Sequence, residues 1–429
     1  MSIERENLRL EGIYPQRQKE FFMQRIKLPA GIISAQQALQ VAAIAQRSAR
    51  GLVHLTMRGS IELHWLTQAD LVPVAAQLAA VGLVSRGACG GAVRGVVCGS
   101  LGAAGAPTLE ALARKVHRHF TGNPRFEKLP KKFKVGIEAD TASGRHRIQD
   151  VGLVPAPSED GRPRFDVWVA GGLGREPTPG FLLTQGVPEQ GLLPLIETIL
   201  RLYQSNTPPG KRLKHLVREM GQEEFRQRVL DDPAILEELP TVPSLSASLV
   251  PVPATDAHRL EAHVFAGELS SDGLASLAEI ARRCCGGVLM VTGDQNIAMH
   301  LESGSDAAEA LNALREVGFS EACDQVNFRI CPGNHECIAG LTATREIAGS
   351  VIKQMGAAAQ QLTWAISGCP NCCAQPQLAQ AGIVASRMVN EAGGRTPRFD
   401  LYRAGAGPFA EPVQQELTLD ALLKAVTTL

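Results

Sequence analysis

The pattern of apolar and polar positions along this chain occurs twice. Residues Gly31 to Leu83 align without a gap to Gly267 to Phe319, at a constant offset of 236 residues. The first copy carries Ala42, Ile44, Ala45 and Arg47, then Gly51, Thr56, Ile61 and His64, then Leu78, Val81 and Gly82. The second carries Ala278, Ile280, Ala281 and Arg283, then Gly287, Thr292, Ile297 and His300, then Leu314, Val317 and Gly318. Spacings of three and four, then alternation, then three and four again predict helix, strand, tight turn, strand and helix in each copy. Similarity of this length at one fixed offset indicates duplication, and the offset is too long for a solenoid. A two-fold pseudosymmetric protein is expected.

Between the copies, residues from about 86 to 170 mix strand and helix signals, and helical periodicity covers 189–204 and 211–230. The stretch 240–253 is rich in Pro and Ser and predicts a linker between two halves. The segment Lys132 to Ile137 alternates, with Phe133, Val135 and Ile137 on one face of a strand and Lys132 and Lys134 on the other. At 429 residues the chain is long enough for two to four domains.

Charge narrows the function classes. Lys and Arg number 43 and so do Asp and Glu, and no basic run is interleaved with aromatics, so no nucleic-acid partner is expected. Apolar runs are short and broken, so no membrane span is expected. The opening Met-Ser-Ile-Glu-Arg-Glu has no apolar core of a signal peptide, which points to a reducing, cytoplasmic location where disulfides are rare.

Four of the ten cysteines carry the clearest chemistry. Cys331-Pro-Gly-Asn-His-Glu-Cys337 is followed by Ser367-Gly-Cys369-Pro-Asn-Cys-Cys373. The x5 spacing and the long gap fit structural zinc poorly. Four thiolates are what a cubane iron–sulfur cluster needs, and the adjoining Pro and Gly let the backbone curve around it. Cys372 keeps a second pairing open, since Cys369 and Cys372 are also spaced C-x2-C. Cys284, Cys285 and Cys323 read as buried thiols. His335 reads as a solvent-facing loop residue, and His54, His64 and His300 as structural or near a cofactor edge.

The copies differ where Thr56-Met57-Arg58-Gly59 is matched by Thr292-Gly293-Asp294-Gln295. If both turns line one cavity, it is asymmetric, with a cation on one side and an acid on the other. Arg94, Lys132 and Lys134 add further cations. Two ammonium groups on one strand face repel each other and favour an anion between them. A solvated outer face of a half-buried sheet accounts for the same spacing equally well.

The set Gly12-Ile-Tyr-Pro-Gln, Leu55-Thr-Met-Arg58, Val93-Arg94-Gly-Val, Leu129-Pro-Lys-Lys132-Phe-Lys134, Thr292-Gly-Asp-Gln-Asn296, C-x5-C and Ser-Gly-Cys-Pro-Asn resembles the sirohaem-dependent sulfite and nitrite reductases, in order and over nearly the whole chain. The resemblance implies an α+β pseudodimer with paired ferredoxin-like half-domains (1–85 and 259–322). Two α/β cofactor-binding lobes (86–238 and 323–429) and a linker (239–258) complete it. It implies a [4Fe–4S] cluster on Cys331, Cys337, Cys369 and Cys373, with Cys373 also the axial ligand of sirohaem. Gln295, Asn296 and Asn371 would contact the cofactor, while Arg58, Arg94, Lys132 and Lys134 would surround the substrate anion. Members with Lys at position 134 usually reduce sulfite and those with Asn usually nitrite, so six-electron reduction of sulfite to sulfide is expected. Electrons would come from an external ferredoxin or flavoprotein. The alternatives are nitrite reduction to ammonia, a precorrin oxygenase of the same fold, or a cofactor-bearing subunit without catalysis. The glycines around Arg94 depart from the family's usual polar residues, and Cys372 from its usual small one.

Overall fold

The computed structural model describes residues 5–99, 106–158, 161–233, 235, 259–301, 304–391 and 394–429, so the expected linker lies outside the described residues. The two copies are built as the repeat predicts. Helix Ala35–Ser48 has its counterpart in Ser271–Cys284, and strand Leu52–Leu55 in Val288–Val291. Each of these helices starts at a serine cap. The Ser34 hydroxyl accepts the Gln37 N–H while Gln37 reciprocates, and the Ser270 hydroxyl accepts the Gly273 N–H.

Three-residue strands that the periodicity did not reveal join the copies. One sheet runs Ile13–Pro15, Phe22–Ile26, Ile61–Leu66, Leu52–Leu55 and then Glu268–Ser270 from the second copy. The other runs Arg259–Ala262, Ile297–His300, Val288–Val291 and then Ile32–Ser34 from the first. The exchange is reciprocal in register. Leu269 lies opposite Val53, and its counterpart Ile33 lies opposite Leu289. One apolar core spans both copies, with Val41, Ile44 and Val53 of the first packed among Leu274, Leu277 and Leu289 of the second.

Just before each exchanged strand the backbone enters the left-handed region twice, at Ala30 and Gly31 (φ 58° and 76°) and at Ala266 and Gly267 (57° and 67°). A Cβ on Gly31 would sit 2.3 Å from the Val291 carbonyl oxygen, and one on Gly267 would sit 2.5 Å from that of Leu55. Only glycine permits that approach of one copy's turn to the other's strand end.

The two flanking lobes repeat each other's topology as well, although their sequences do not show it. In the first, Val97–Gly99, Val135–Glu138 and Val151–Ala156 run parallel and Arg164–Val169 and Phe181–Pro188 follow antiparallel. In the second, Phe328–Ile330, Trp364–Ser367 and Ala381–Glu391 run parallel and Gly394–Arg403 and Glu411–Leu417 follow antiparallel. Each lobe has its own apolar core.

Three expectations need correction. The helix expected over 211–230 is two, Leu213–Met220 and Gln222–Leu230, broken at Gly221, whose φ of 92° no helix accommodates. The strand expected from Lys132 begins at Val135, and residues 132–134 lead into it through a single bridge between Phe133 and Val93. Of the three thiols expected to be buried, only Cys285 is fully so. Cys284 closes a helix at the core's edge, and Cys323 is exposed in a short turn that buries nothing.

The exchanged turns make the halves mutually dependent. Gly31→Ala should destabilise the protein by about 2 kcal/mol or more, and calorimetry should show both halves losing stability in one transition. A separate, shifted transition for one half would contradict this.

Candidate functional site

The two cysteine segments are locked together by glycine. Cys331 directly follows strand Phe328–Ile330, and Cys369 follows Trp364–Ser367 one residue later, so parallel neighbours aim both segments at the same end of the sheet. A Cβ on Gly368 would lie 2.9 Å from Gly333 Cα, and one on Gly340 would lie 2.3 Å from the Gly333 carbonyl carbon. Leu341 N–H donates to the Gly368 carbonyl (2.7 Å), and Gly368 N–H donates to Cys331 Sγ (3.1 Å). The N-terminal segment closes the first loop. Arg17 N–H donates to the Glu336 carbonyl (2.8 Å), its guanidinium reaches the Cys337 carbonyl (3.4 Å) and the Gly340 carbonyl, and Gln18 reaches the His335 carbonyl (2.7 Å).

Cys331, Cys337, Cys369 and Cys373 form one electrostatic group. Burial raises the Cys331 thiol well above its ordinary value and pushes Cys337 up to about 11, and in both cases Cys373 and Cys369 add to the rise. Among the described residues, no three of these sulfurs fall within 4.8 Å of one another. A single tetrahedral zinc would hold them about 3.8 Å apart. Cys372 feels Cys373 and Cys369 as well, but it has a protein partner: it is buried, with φ 52°, and its sulfur accepts a hydrogen bond from Gln377 Nε2 (3.3 Å). Asn371 is exposed beside Cys369 and hydrogen-bonds its sulfur, which opposes the rise that burial imposes on that thiol.

Arg58, Arg94, Lys132 and Lys134 are brought together, each half-buried. Arg58 donates to Gln149 Oε1 (3.0 Å) and to the Gly95 carbonyl (2.9 Å). Arg94 donates to the carbonyls of Gly90 (2.8 Å) and Gly87 (3.3 Å), so the glycines around it hold it through the backbone. Burial, and then Arg94, lowers Arg58 to about 9, and burial lowers Arg94 to about 10. Lys132 falls to about 8 through burial, against which the nearby Cys373 sulfur acts. Lys134 is driven well below its ordinary value by burial, then by Arg58, Lys132 and Arg212. Met57, beside Arg58, packs against Cys331, so the turn at 56–59 lies between the cations and the cysteine lobe.

Two residues that the sequence reading missed organise this group. Asp150 is fully buried. Its Oδ2 accepts the Lys134 N–H (2.9 Å) and Arg212 Nη2 (2.9 Å), and Oδ1 has no donor among the described residues. Its charge opposes the depression of all four expected cations. One carboxylate thus faces five cations, an excess that favours an anionic ligand. Nothing local marks either residue: Asp150 is an isolated acid before a strand, and Arg212 sits in a run of surface-type cations.

Gln295 and Asn296, expected at the cofactor edge, have their side chains committed to the protein frame. Gln295 is buried, donates to the carbonyls of Leu55 (2.9 Å) and Ala266 (3.3 Å), and accepts the Ile330 N–H (2.7 Å). Asn296 donates to Glu261 (3.0 Å) and accepts the Val264 N–H (2.9 Å). Gln295 therefore ties the two pseudosymmetric halves and the cysteine lobe together, whereas Asn296 braces its own copy. Asp294 pairs with Arg145 (2.6 Å) and Arg329 (3.2 Å), so the acid matching Arg58 in the repeat is already neutralised. His54 and His64 are buried with ring centres 4.5 Å apart. His54, Glu268 and Glu336 come within 4.8 Å of one another, but the Arg345 guanidinium bonds to all three and is the cation there. His335 is partly exposed and contacts Glu346 (2.8 Å), while His300 lies half-buried at the end of an inner strand of its copy.

The donor set suits an iron–sulfur cluster beside an anion-carrying cofactor. Buried neighbouring thiols ionise only if a cationic centre offsets their mutual repulsion, which bound iron does.

Comparison with known proteins agrees with this chemistry. Residues 97–234 match the family model described as the nitrite and sulphite reductase 4Fe-4S domain, and residues 14–81 and 255–317 match the nitrite/sulfite reductase ferredoxin-like half domain. The four cysteines lie outside both matches. The chain is 26% identical over 416 residues to sulfite reductase [ferredoxin] 2 of Mycolicibacterium paratuberculosis, covering 90% of this chain and 74% of that protein. It is equally 26% identical, over 420 residues, to the ferredoxin–nitrite reductase of Synechococcus elongatus, covering 90% and 80%. The fold superposes on the Mycobacterium tuberculosis NirA protein with a TM-score of 0.83 at 22% identity, covering 99% of this chain and 86% of that one.

The Asp150–Arg212 pair is buried, so removing one partner strands the other. Asp150→Ala should cost about 3–5 kcal/mol in denaturant unfolding. The double variant Asp150→Ala with Arg212→Met should regain most of that loss, and a double variant no better than the single would contradict the pairing.

Proposed function

The chain belongs to the nitrite and sulfite reductase family, and on that premise we propose that it reduces sulfite to sulfide with electrons from a ferredoxin. The observation that carries the reading is the gathering of Arg58, Arg94, Lys132 and Lys134 into one group about Asp150, with Lys132 near enough to the Cys373 sulfur to feel its charge. Cys331, Cys337, Cys369 and Cys373 would hold the [4Fe–4S] cluster, with Cys373 shared with the iron of sirohaem. Cys372, bonded to Gln377, is left out of the set. The cofactors, when bound, supply the electron transfer and the iron site to which the oxyanion binds.

The chain's own residues supply charge, position and protons. Five cations against one carboxylate bind a small oxyanion through charge-assisted hydrogen bonds. Asp150 holds Arg212 and the Lys134 backbone, and so sets where the two lysines enter the group. Lys134 is driven toward its neutral form, so an arriving anion restores its charge with uptake of a proton from solvent. A lysine poised in this way can return that proton as the anion's oxygen departs as water.

Nitrite reduction to ammonia is the second reading, favoured by the equal identity to a nitrite reductase. Lys134 favours sulfite, because a dianion gains more from an added cation than a monoanion does. The test is an absorption spectrum of the purified, cofactor-loaded protein, followed by steady-state rates on both anions with an artificial reductant. Sirohaem bands with neither activity would overturn the reading.

Lys134→Asn should lower sulfite turnover by about one to three orders of magnitude and nitrite turnover much less. Equal losses on the two anions would remove the ground for preferring sulfite. Cys373→Ser should abolish the spectroscopic interaction between haem and cluster, and a normal coupled spectrum in that variant would contradict the bridging role.

A further inference from the structure

We propose that Glu138 is a proton-relay residue, taking protons from solvent past Ser143 and passing them through a small polar cavity to Arg58 at the anion site. The proposal rests on the reductase reading above, since that reaction consumes protons each time an oxygen leaves as water.

Glu138 ends the inner strand Val135–Glu138 of the first lobe and is 3% exposed. Its Oε2 accepts a hydrogen bond from the Ser143 hydroxyl (3.2 Å), and Ser143 is exposed in the loop that follows. On its other side lies a cavity of about 30 Å³. Glu138, Arg58, Arg145 and Gln149 supply its polar walls. That space is enough for about one or two waters with polar partners on several sides. Arg58 and Gln149, hydrogen-bonded to each other (3.0 Å), share its wall, so the cavity joins Glu138 to a cation of the anion site. Room for the carboxyl is built in. Gly99 pairs with Glu138 on the neighbouring strand, and a Cβ there would lie 2.1 Å from Glu138 Oε2.

The surrounding charges leave this carboxyl without a committed ion-pair partner. Arg145 is paired with Asp294, which Arg329 also engages, and among the described residues Glu138 makes no salt bridge. Burial raises its pKa to about 7, with Asp140 and Asp294 adding to the rise and Arg145 and the Ser143 hydrogen bond opposing it. It is therefore protonated below neutrality and loses its proton as pH rises through that value. In each transfer an N–H of Arg58 gives its proton to the anion's departing oxygen, cavity water protonates the neutral guanidine that is left, and the Glu138 carboxyl O–H breaks as its proton replaces the one that water gave. The carboxylate then regains a proton from bulk water past the Ser143 hydroxyl. No electron moves in these steps.

The test uses the whole protein and the variants Glu138→Gln and Glu138→Asp. Infrared difference titration should show a protonated carboxyl band that disappears near neutral pH in the wild type and is missing from Glu138→Gln. With cofactors loaded to wild-type spectra, Glu138→Gln should lower kcat about ten- to a hundredfold. KM should be unchanged, the limb of the kcat–pH profile near neutrality should be lost, and Glu138→Asp should recover part of the rate. An active wild type matched by Glu138→Gln in kcat and pH profile overturns the relay alone, as does a loss confined to KM or to cofactor content. A wild type that reduces neither anion overturns the functional reading, and the infrared titration then decides separately whether Glu138 exchanges its proton near neutrality.

Discussion

The site depends on the reciprocal exchange of short strands between two copies of one motif. Ile32–Ser34 completes the second copy's sheet and Glu268–Ser270 completes the first's, so neither half can form its edge alone. The exchange fixes the turn at Arg58 against the second copy and the turn at Gln295 against the first. From there Gln295 reaches the Ile330 N–H, one residue before Cys331. A backbone constraint set by Gly31 and Gly267 is thus carried by a few hydrogen bonds to the first cysteine.

Charge is the second constraint. The fold collects four half-buried cations and the buried Arg212 about the carboxylate of Asp150, and burial depresses Lys132 and Lys134. Beside them it gathers four thiols, and burial opposes the ionisation of Cys331, Cys337 and Cys369. Each group is costly alone: one needs an anion and the other a cationic centre. A haem-like ring carrying carboxylates, set beside an iron–sulfur cluster, would answer both needs, and Met57 against Cys331 places the two groups side by side.

The pseudosymmetry of the half-domains was legible because Ala42, Ile44, Gly51 and Thr56 recur in step with Ala278, Ile280, Gly287 and Thr292. The matching topology of the lobes was not, since a parallel sheet covered on both faces imposes only a general apolar requirement that diverged copies meet with different residues. The convergence of Arg58, Arg94, Lys132 and Lys134 followed from family motifs, whereas alternation alone left a solvated face equally open. Asp150, Arg212 and Arg17 were invisible because their partners lie far away in sequence: Arg212 is 62 residues from Asp150, and Arg17 is 320 from Cys337. The backbone partners of Gln295 and Asn296 were hidden for a related reason, since a polar pair in a turn reads the same whether it faces a cofactor or a neighbouring backbone.

The central proposal is that Cys373 would serve both the cluster and the haem iron, with the cations beside the latter. Anomalous diffraction at the iron edge from crystals of the cofactor-loaded protein tests it directly. The account predicts a compact group of iron peaks within bonding reach of Cys331, Cys337, Cys369 and Cys373. It also predicts one further iron beside Cys373 whose open side faces Arg58, Arg94, Lys132 and Lys134. A cluster ligated by Cys372 in place of Cys373, or a separate iron on any other side of the molecule, would contradict it.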